Sequence, residues 1–344
     1  MKSERLDQIL SRFGRSRIAV LGDFFLDKYY DVDPKLAETS VETGKVANQI
    51  VAVRCSPGSA GTVVNNLAAL KPGKLYALGF IGADGEGFEL TRGLEAISCD
   101  TRHLVRTPKR MTPLYLKPRD MNDPSLAGEH ERYDIKNRTR TPRDIEDQVI
   151  ASLDKVLPKV DAVIISDQVE ADNCGVVTDR VRAAIQERAK INQKIFFFAD
   201  SRAHIHLFRD VMIKPNQFEA INKPFPKPDE KVSEEQLREA LPILRKKTRA
   251  PVVVTRGALG MLVSDPELTF IRGVKLGGPL DPTGAGDSAL AGCTLALASG
   301  ATLPEAALLG ILVSSITVQQ LATTGTATQA QVRERLKMWI KQGE

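Results

Sequence analysis

Cysteine is scarce and unpatterned. The four cysteines, Cys55, Cys99, Cys174 and Cys293, show no C-x-x-C spacing. That excludes a metal or disulfide framework built on cysteine and leaves ordinary cytosolic thiols. No apolar run reaches the roughly 18 residues of a membrane span. Residues 1–8 are polar and charged, so no secretory leader is expected there. Basic clusters such as Arg245-Lys246-Lys247 are short and carry no interleaved aromatics. They read as a solvated helix face, not as a nucleic-acid site. There is no internal repeat and no low-complexity segment.

What is present is ordinary in bulk. The 344 residues are 42% apolar and 26% charged, as in a soluble globular protein. That length exceeds the common single-domain size, yet α/β folds reach it as one unit. The formal charge of +5 is mild and suits anionic small substrates.

The stretch Asp281-Pro-Thr-Gly-Ala-Gly-Asp287 carries the most chemistry. Residues 274–280 ahead of it are weakly apolar and glycine-bearing, and residues 288–299 behind it are small and apolar. This predicts a loop opening into a buried helix. The first turn of such a helix has amides without partners, and its dipole is positive there. Gly284 and Gly286 let an anion approach the backbone. Asp287 is then placed to take a proton from an attacking hydroxyl while the amides stabilise phosphoryl charge. The same residues serve equally well as an N-cap and a glycine-rich turn without chemistry.

In chain order, Arg17–Gly22 reads as a buried strand with Asp23 at its C-terminal end, where open α/β sheets collect ligand sites. Asp27 follows. As residues alone, Asp23 and Asp27 serve equally as two solvated loop aspartates. Residues 29–53, 111–117 and 131–135 are short, extended and polar, and fall outside any strand–helix rhythm. Small residues from Cys55 to Gly61 open a helical pattern over 62–70. Strands are predicted at 75–82, 161–166 and 194–199, the last ending at Asp200. Helices are predicted from 85 to about 96, at 141–157 and at 176–190. The alternation argues a parallel, doubly wound sheet. Residues 224–228 are a turn-rich break and not a domain boundary, since the alternation resumes. Pro215 makes Lys214 the end of a strand. Asn216 and Glu219, three apart, share a face in a helical first turn. Such oxygens suit Mg²⁺ held largely through water and phosphates. A helix cap with its capping partner is the alternative. A strand at 251–255 precedes Arg256 and Gly257, and Gly260 closes a hairpin into 261–264. Apolar and amphipathic helices follow at 306–320 and 329–341.

These pieces resemble a known family in order along the chain. Asp281 to Asp287 resembles the closing D-x-T-G-A-G-D signature of the PfkB (ribokinase-like) carbohydrate kinases. The resemblance implies that Asp287 is the catalytic base and that the amides of Gly284, Ala285 and Gly286 form the anion hole. Gly22-Asp23-Phe24-Phe25-Leu26-Asp27 is similar to the family's Gly-Asp-x-x-x-Asp element, which implies that Asp23 and Asp27 bind substrate hydroxyls. Pro57-Gly58-Ser59-Ala60-Gly61-Thr62 is similar to Pro-Gly-Gly-Ala-x-Asn, with Ser59 at the second Gly and Thr62 at the Asn. That departure puts the sugar in question. Asn66 matches an Asn of heptose-kinase-like members. Gly82-Ala-Asp84-Gly-Glu-Gly87 is similar to the family's G-x-D-x-x-G. Lys214, Asn216 and Glu219 resemble the Asn-x-x-Glu region associated with the Mg–nucleotide. Thr255-Arg256-Gly257 with Gly260 resembles the nucleotide-phosphate loop, where Thr255 hydrogen-bonds phosphate and Arg256 adds charge. The alternative there is a plain β-turn. Gly325-Thr326 is similar to a segment near the adenine pocket. Asp200-Ser-Arg with Lys214-Pro-Asn resembles the heptose-7-phosphate kinase branch.

The resemblance implies an α/β, ribokinase-like, doubly wound and mostly parallel sheet flanked by helices, with a small β-rich lid. Residues 1–344 are expected to be a single kinase domain, with the lid drawn from within about 29–56 and 108–136. The implied reaction moves the γ-phosphate of ATP to a hydroxyl of a sugar or sugar phosphate, with heptose 7-phosphate in first place. ATP and Mg²⁺ are the implied cofactors, the metal near Asn216 and Glu219 through water. A monovalent cation and a homodimer through the lid are left open. The implied partners are small molecules in the cytoplasm, with no nucleic acid and no membrane. Many members of the branch carry a second nucleotidyltransferase domain, for which this length leaves no room, so a kinase-only chain is expected. The alternatives are a PfkB kinase for another sugar, or a non-catalytic sugar-phosphate-binding relative. Asp287 counts against the latter, since a pure binder needs no base.

Overall fold

Strand β1 (Arg17–Gly22) buries every residue but its first. Ile18 and Val20 belong to one apolar cluster, Ala19 and Leu21 to another. Successive side chains leave a strand on opposite faces, so a strand apolar at every position must sit between two layers. The computed structural model describes residues 1–123, 126–223, 226–227, 229–321 and 323–343.

Helix α1 (Ser3–Leu10) precedes β1. Strands β2 (Phe24–Thr39) and β3 (Val46–Ser59) follow, then α2 (Ala60–Leu70), β4 (Lys74–Gly82) and α3 (Gly85–Ala96). Short strands β5 (Cys99–Asp100) and β6 (Leu104–Thr107) lead to β7 (Leu114–Asp120) and β8 (Tyr133–Ile135). The alternation resumes with α4 (Arg143–Val156), β9 (Ala162–Asp167), α5 (Asp179–Ile191), β10 (Phe196–Ser201) and β11 (Met212–Ile213). Next come α6 (Gln217–Ala220), α7 (Glu234–Thr248) and the antiparallel strands β12 (Val253–Thr255), β13 (Gly260–Val263) and β14 (Thr269–Arg272). Helices α8 (Ala285–Ala298), α9 (Leu303–Thr317) and α10 (Gln329–Lys341) close the chain.

The main sheet runs β11-β10-β9-β1-β4-β5, with β6 also on β4, and every pair is parallel. One face carries α1, α2, α3, α8, α9 and α10, and the other α4, α5 and α7. Helices α8 and α9 are apolar nearly all round and bury most of their residues, as helices inside a layer must. Isolated bridges Ile213–Val252 and Asn216–Thr255 join the small antiparallel sheet to the edge at β11. No helix among the described residues is long and apolar enough to cross a membrane.

A second sheet stands apart, in the order β3-β2-β7-β8. It is wider than the predicted 29–56 and 108–136, because β2 starts at Phe24, directly after the end of β1. The apolar triplet Phe24-Phe25-Leu26 is buried, so it does not read as a flap in sequence. Residues 124–125 within the predicted lid lie outside the described residues, as do 224, 225 and 228 of the predicted break. The helix predicted at 176–190 begins later, at Asp179. Thr178 caps it by accepting the Val181 amide, which leaves 168–178 as a loop.

Candidate active site

The glycine turn sets the centre. Gly284 has φ 74, in the left-handed region that glycine enters without strain, and α8 starts after it with no side-chain cap. Asp281 fixes the turn: its amide donates to Val318 O at 2.8 Å and its Oδ1 accepts the Thr283 amide at 3.0 Å. The Ala285 amide donates to Pro282 O at 3.0 Å. Of the three residues expected to form an anion hole, Gly284, Ala285 and Gly286, Ala285 has its amide engaged within the turn. Asp287 lies in the first turn of α8.

Two strand ends bring charge to this turn. Lys214, after β11, and Asp200, on β10, form an ion pair at 2.8 Å. Lys214 is buried, and a Cβ built on Gly286 would lie 3.5 Å from its Nζ and 3.8 Å from Asp200 Oδ2. Asp287 keeps part of its surface open to solvent, yet desolvation of its carboxyl pushes its pKa up to about 7. Asp200 and Asp27 add to the rise and Lys214 opposes it. Burial pulls the Lys214 pKa down, but Asp200, Glu219 and Asp287 together hold it above the ordinary lysine value. Burial also pushes Glu219 up to about 7, with Asp200 adding and the Asn216 amide opposing.

Asn216 and Glu219 make a reciprocal cap on α6. Asn216 Oδ1 accepts the Phe218 and Glu219 amides, each at 2.9 Å, and Glu219 Oε2 accepts the Asn216 amide at 2.7 Å. The capping alternative is thus realised in this geometry. Among the described residues no group of three or more His, Cys, Asp or Glu side chains is arranged to hold a metal by itself.

The two N-terminal aspartates part company. Asp23 is buried, and its oxygens accept three backbone amides: Val176 at 2.7 Å, Gln168 at 2.9 Å and Val169 at 3.2 Å. Burial and the neighbouring Asp167 push its pKa up to about 7 against those donors. In this geometry Asp23 anchors the 168–176 loop, both of its oxygens accepting backbone amides. Asp27 is also buried, but its partner is a side chain, Lys117, at 3.3 Å. Gly58 lies against it, since a Cβ there would come within 2.7 Å of Asp27 Oδ2. A cavity of about 470 Å³ opens beside Asp23, walled by Phe25, Tyr115, Lys136, Arg138 and Glu170 among others. Asp27, Lys214 and Asp287 are not in its wall.

Helix α2 meets the glycine turn. Ser59 precedes it at φ 53, a strained region for a residue with a Cβ. Thr62 is buried, with Cγ2 3.2 Å from where a Cβ on Gly284 would sit. Asn66 is fully buried and donates to Thr62 O at 3.0 Å, and its Oδ1 has no partner among the described residues. Thr324, beside Gly325, approaches the same Gly284 position at 3.8 Å, while Gln320 clamps Thr326 through both amide atoms.

The predicted phosphate loop divides. The Thr255 amide donates to Pro215 O at 3.0 Å, which ties the loop to the Lys214 segment. Arg256 turns elsewhere. It lies 3.6 Å from Glu234, donates to Val232 O at 3.4 Å and sits over the Phe270 ring. In this geometry the Arg256 charge faces the start of α7. Gly257 and Gly260 both have positive φ, which the turn between β12 and β13 demands.

Comparison with known proteins decides the family. Residues 17–330 match the pfkB family of carbohydrate kinases. The chain belongs to the pfkB family. It is similar to the bifunctional protein HldE of Hyphomonas neptunium, 28% identical over 346 residues, covering 98% of this chain and 66% of that protein. It is also similar to the bifunctional protein HldE of Caulobacter vibrioides, 27% identical, covering 90% of this chain and 62% of that protein. The chain thus spans less than two thirds of the length of these relatives. Among solved structures, phosphofructokinase-2 from Escherichia coli in complex with potassium superposes with a TM-score of 0.69 at 19% identity, covering 94% of this chain and 99% of that one. Ribokinase of Arabidopsis thaliana complexed with ribose and ATP gives 0.66 at 15% identity, covering 94% and 99%. Both share the ribokinase-like fold.

Phosphoryl transfer asks of a protein positioned charge more than covalent chemistry. Neither Asp200 nor Lys117 is among the site residues expected from sequence, although Asp200-Ser-Arg entered the resemblance. The signal for Asp200 was its place at the end of an apolar strand. Lys117 had no signal, because only the pairing of β2 with β7 brings it to Asp27.

Proposed function

We propose that this chain transfers the γ-phosphate of ATP to a hydroxyl of a sugar or sugar phosphate, with heptose 7-phosphate as the first acceptor to test. One observation carries the reading: Asp287, with a pKa near 7, stands in the first helical turn beside the Lys214–Asp200 pair. A base poised near the working pH takes the acceptor proton as its oxygen attacks. Lys214 and the amides of the turn face the charge of the moving phosphoryl group. Asp27 orients the acceptor. The heptose assignment is supported by Asp200-Ser-Arg, Lys214-Pro-Asn and Asn66.

ATP and Mg²⁺ are the cofactors of this reading. Three carboxylates, Asp200, Glu219 and Asp287, shift the protonation of one another or of the single ammonium among them. That surplus of negative charge fits a divalent cation held by Glu219 and Asp200 through water and by substrate phosphates. When bound, the ion neutralises phosphate charge. A monovalent cation requirement is tested with the same assay. The four-stranded sheet serves as a lid on one kinase domain spanning 1–344. Its edge strand β3 exposes Val46, Ile50, Val51 and Val53, a surface suited to a second copy of the sheet. The reaction belongs in the cytoplasm, where ATP is available.

A second reading is a kinase for another sugar, favoured by Ser59 and Thr62 at the acceptor helix. The test is acceptor-dependent ADP formation over a panel of heptose 7-phosphate, fructose 6-phosphate, ribose and other sugars and their phosphates. Turnover of heptose 7-phosphate supports the first reading and turnover of another sugar the second. No acceptor-dependent ADP on any of them overturns both.

A further inference from the structure

Lys117 on β7 is a buried cation that the scheme above leaves unused. Its Nζ lies 3.3 Å from Asp27 Oδ1 and 3.4 Å from Tyr29 Oη. The pairing of β2 with β7 explains the geometry. Asp27 stands opposite Tyr115 and Tyr29 opposite Lys117 in parallel register. Residues two apart on a strand share a face, so all four side chains gather on one side of the sheet. Lys117 then reaches diagonally to Asp27. Both partners are almost withdrawn from water, with side chains 11% and 7% exposed.

A buried ion pair of this kind needs a reason. It contributes little net stability compared with apolar residues, but breaking one partner is costly. Here it divides the work of one carboxylate. Oδ1 faces the ammonium, while Oδ2 lies against Gly58, where a side chain would collide with it. One oxygen is held and the other is left toward the Gly58–Ser59 segment and α2. A carboxylate accepts a hydroxyl proton well only when ionised. Burial pushes the Asp27 pKa up, and Lys117 is the largest influence opposing that rise. Arg132 adds to the opposition, and Glu129 acts against it. Asp287 senses Asp27 as a like charge.

We propose that Lys117 is a positioning residue for the acceptor, holding Asp27 as an ionised, oriented ligand for one acceptor hydroxyl. This rests on the reading of Asp27 as an acceptor ligand. The second segment of the four-stranded sheet thereby takes part in acceptor recognition through a residue that never touches the reacting atoms.

The test compares Lys117→Met, Lys117→Arg, Asp27→Asn and the double variant Asp27→Asn with Lys117→Met. The acceptor is heptose 7-phosphate, or the sugar of the panel that the wild type turns over fastest. KM for acceptor, KM for ATP and kcat are measured from pH 6 to 9. Lys117→Met should raise acceptor KM about 10–100-fold at pH 7, the scale of a lost charge-assisted interaction, with ATP KM unchanged. Without the ammonium, Asp27 keeps its proton to higher pH, so this KM should fall as pH rises. Lys117→Arg should restore most of the wild-type value. In the Asp27→Asn background the Lys117→Met change should add less than about 2-fold, since there is no charge left to hold. If Asp27→Asn raises acceptor KM while Lys117→Met does not, the proposal falls and the reading of Asp27 stands. If Asp27→Asn leaves acceptor KM unchanged, the reading of Asp27 falls and takes this proposal with it. A KM rise in Lys117→Met that ignores pH, or that Arg does not repair, makes Lys117 a packing residue only. Should Lys117→Met not fold, Lys117→Gln carries the same measurements.

Discussion

Lys214 Nζ lies 2.8 Å from Asp200 Oδ2, and the pair stands next to Gly286, which has no side chain to keep it away. Asp200 therefore acts on two groups at once. It neutralises Lys214, and it raises the proton affinity of Asp287. In the wild type, kcat/KM should rise with pH through an apparent pKa near 7, as Asp287 loses its proton. Asp200→Asn removes the like charge and frees Lys214 to attract the Asp287 carboxylate. Both changes lower the Asp287 pKa, so the acidic limb should move to lower pH. A pH–rate profile checks this, and an unmoved limb separates Asp200 from the base.

Asp287→Asn should lower phosphoryl transfer about 10²–10⁴-fold while nucleotide binding, measured by calorimetry, stays close to wild type. It should also change stability in a pH-dependent way. Asp287 is raised from 3.8 to about 7 in the folded chain, so the folded state holds the proton more tightly than the unfolded one. Its contribution to stability is complete below the unfolded value and is lost as pH rises toward 7. The variant should be the more stable protein at pH 8, by about 1–3 kcal/mol after allowance for partial exposure, and should lose that advantage near pH 4. Denaturant melts at the two pH values decide it. Wild-type-like turnover would remove Asp287 from the role of base.

Glu219→Gln separates charge from capping. A glutamine oxygen still accepts the Asn216 amide, so the reciprocal cap on α6 survives. What is lost is one carboxylate near Lys214 and Asp200. The Mg²⁺ concentration for half-maximal rate should rise severalfold. A rate that keeps its Mg²⁺ dependence leaves Glu219 as a helix cap alone.

The main sheet was legible because the middle of each long strand is apolar on both faces, as in Ile18–Leu21 of β1 and Ala162–Ile165 of β9. The second sheet was harder. Only its outer parts look polar and extended, while Phe24, Phe25 and Leu26 read as continuing buried structure. Within the site, the glycine turn and Lys214 could be placed from local spacing, because each depends on neighbours in sequence. Asp23 and Arg256 could not be placed that way. Their roles depend on amides 145–153 residues away in one case and on a helix start 22 residues back in the other. An Asp at the end of a first strand looks the same whether its partners are sugar hydroxyls or loop amides.

Ser59 and Thr62 bring stability and substrate choice together. Ser59 holds φ 53 and ψ −116, where a Cβ is strained and glycine is not. Ser59→Gly should therefore raise stability by about 0.5–1 kcal/mol, the relief of strain being partly offset by the greater freedom of glycine when unfolded. Thr62 packs its methyl toward Gly284, so Thr62→Asn puts a longer amide beside the glycine turn and next to the acceptor hydroxyls. A hydrogen bond gained there is worth about 0.5–1.5 kcal/mol, or roughly 2–10-fold in binding. The double variant should thus melt later than Thr62→Asn alone and use heptose 7-phosphate with a higher kcat/KM than the wild type. Steady-state kinetics on that sugar, with a melt of each variant, test both halves. If the wild type is already fully efficient and the double variant gains nothing, Ser59 and Thr62 are neutral departures and the acceptor is read elsewhere, with Asp27 the first place to look.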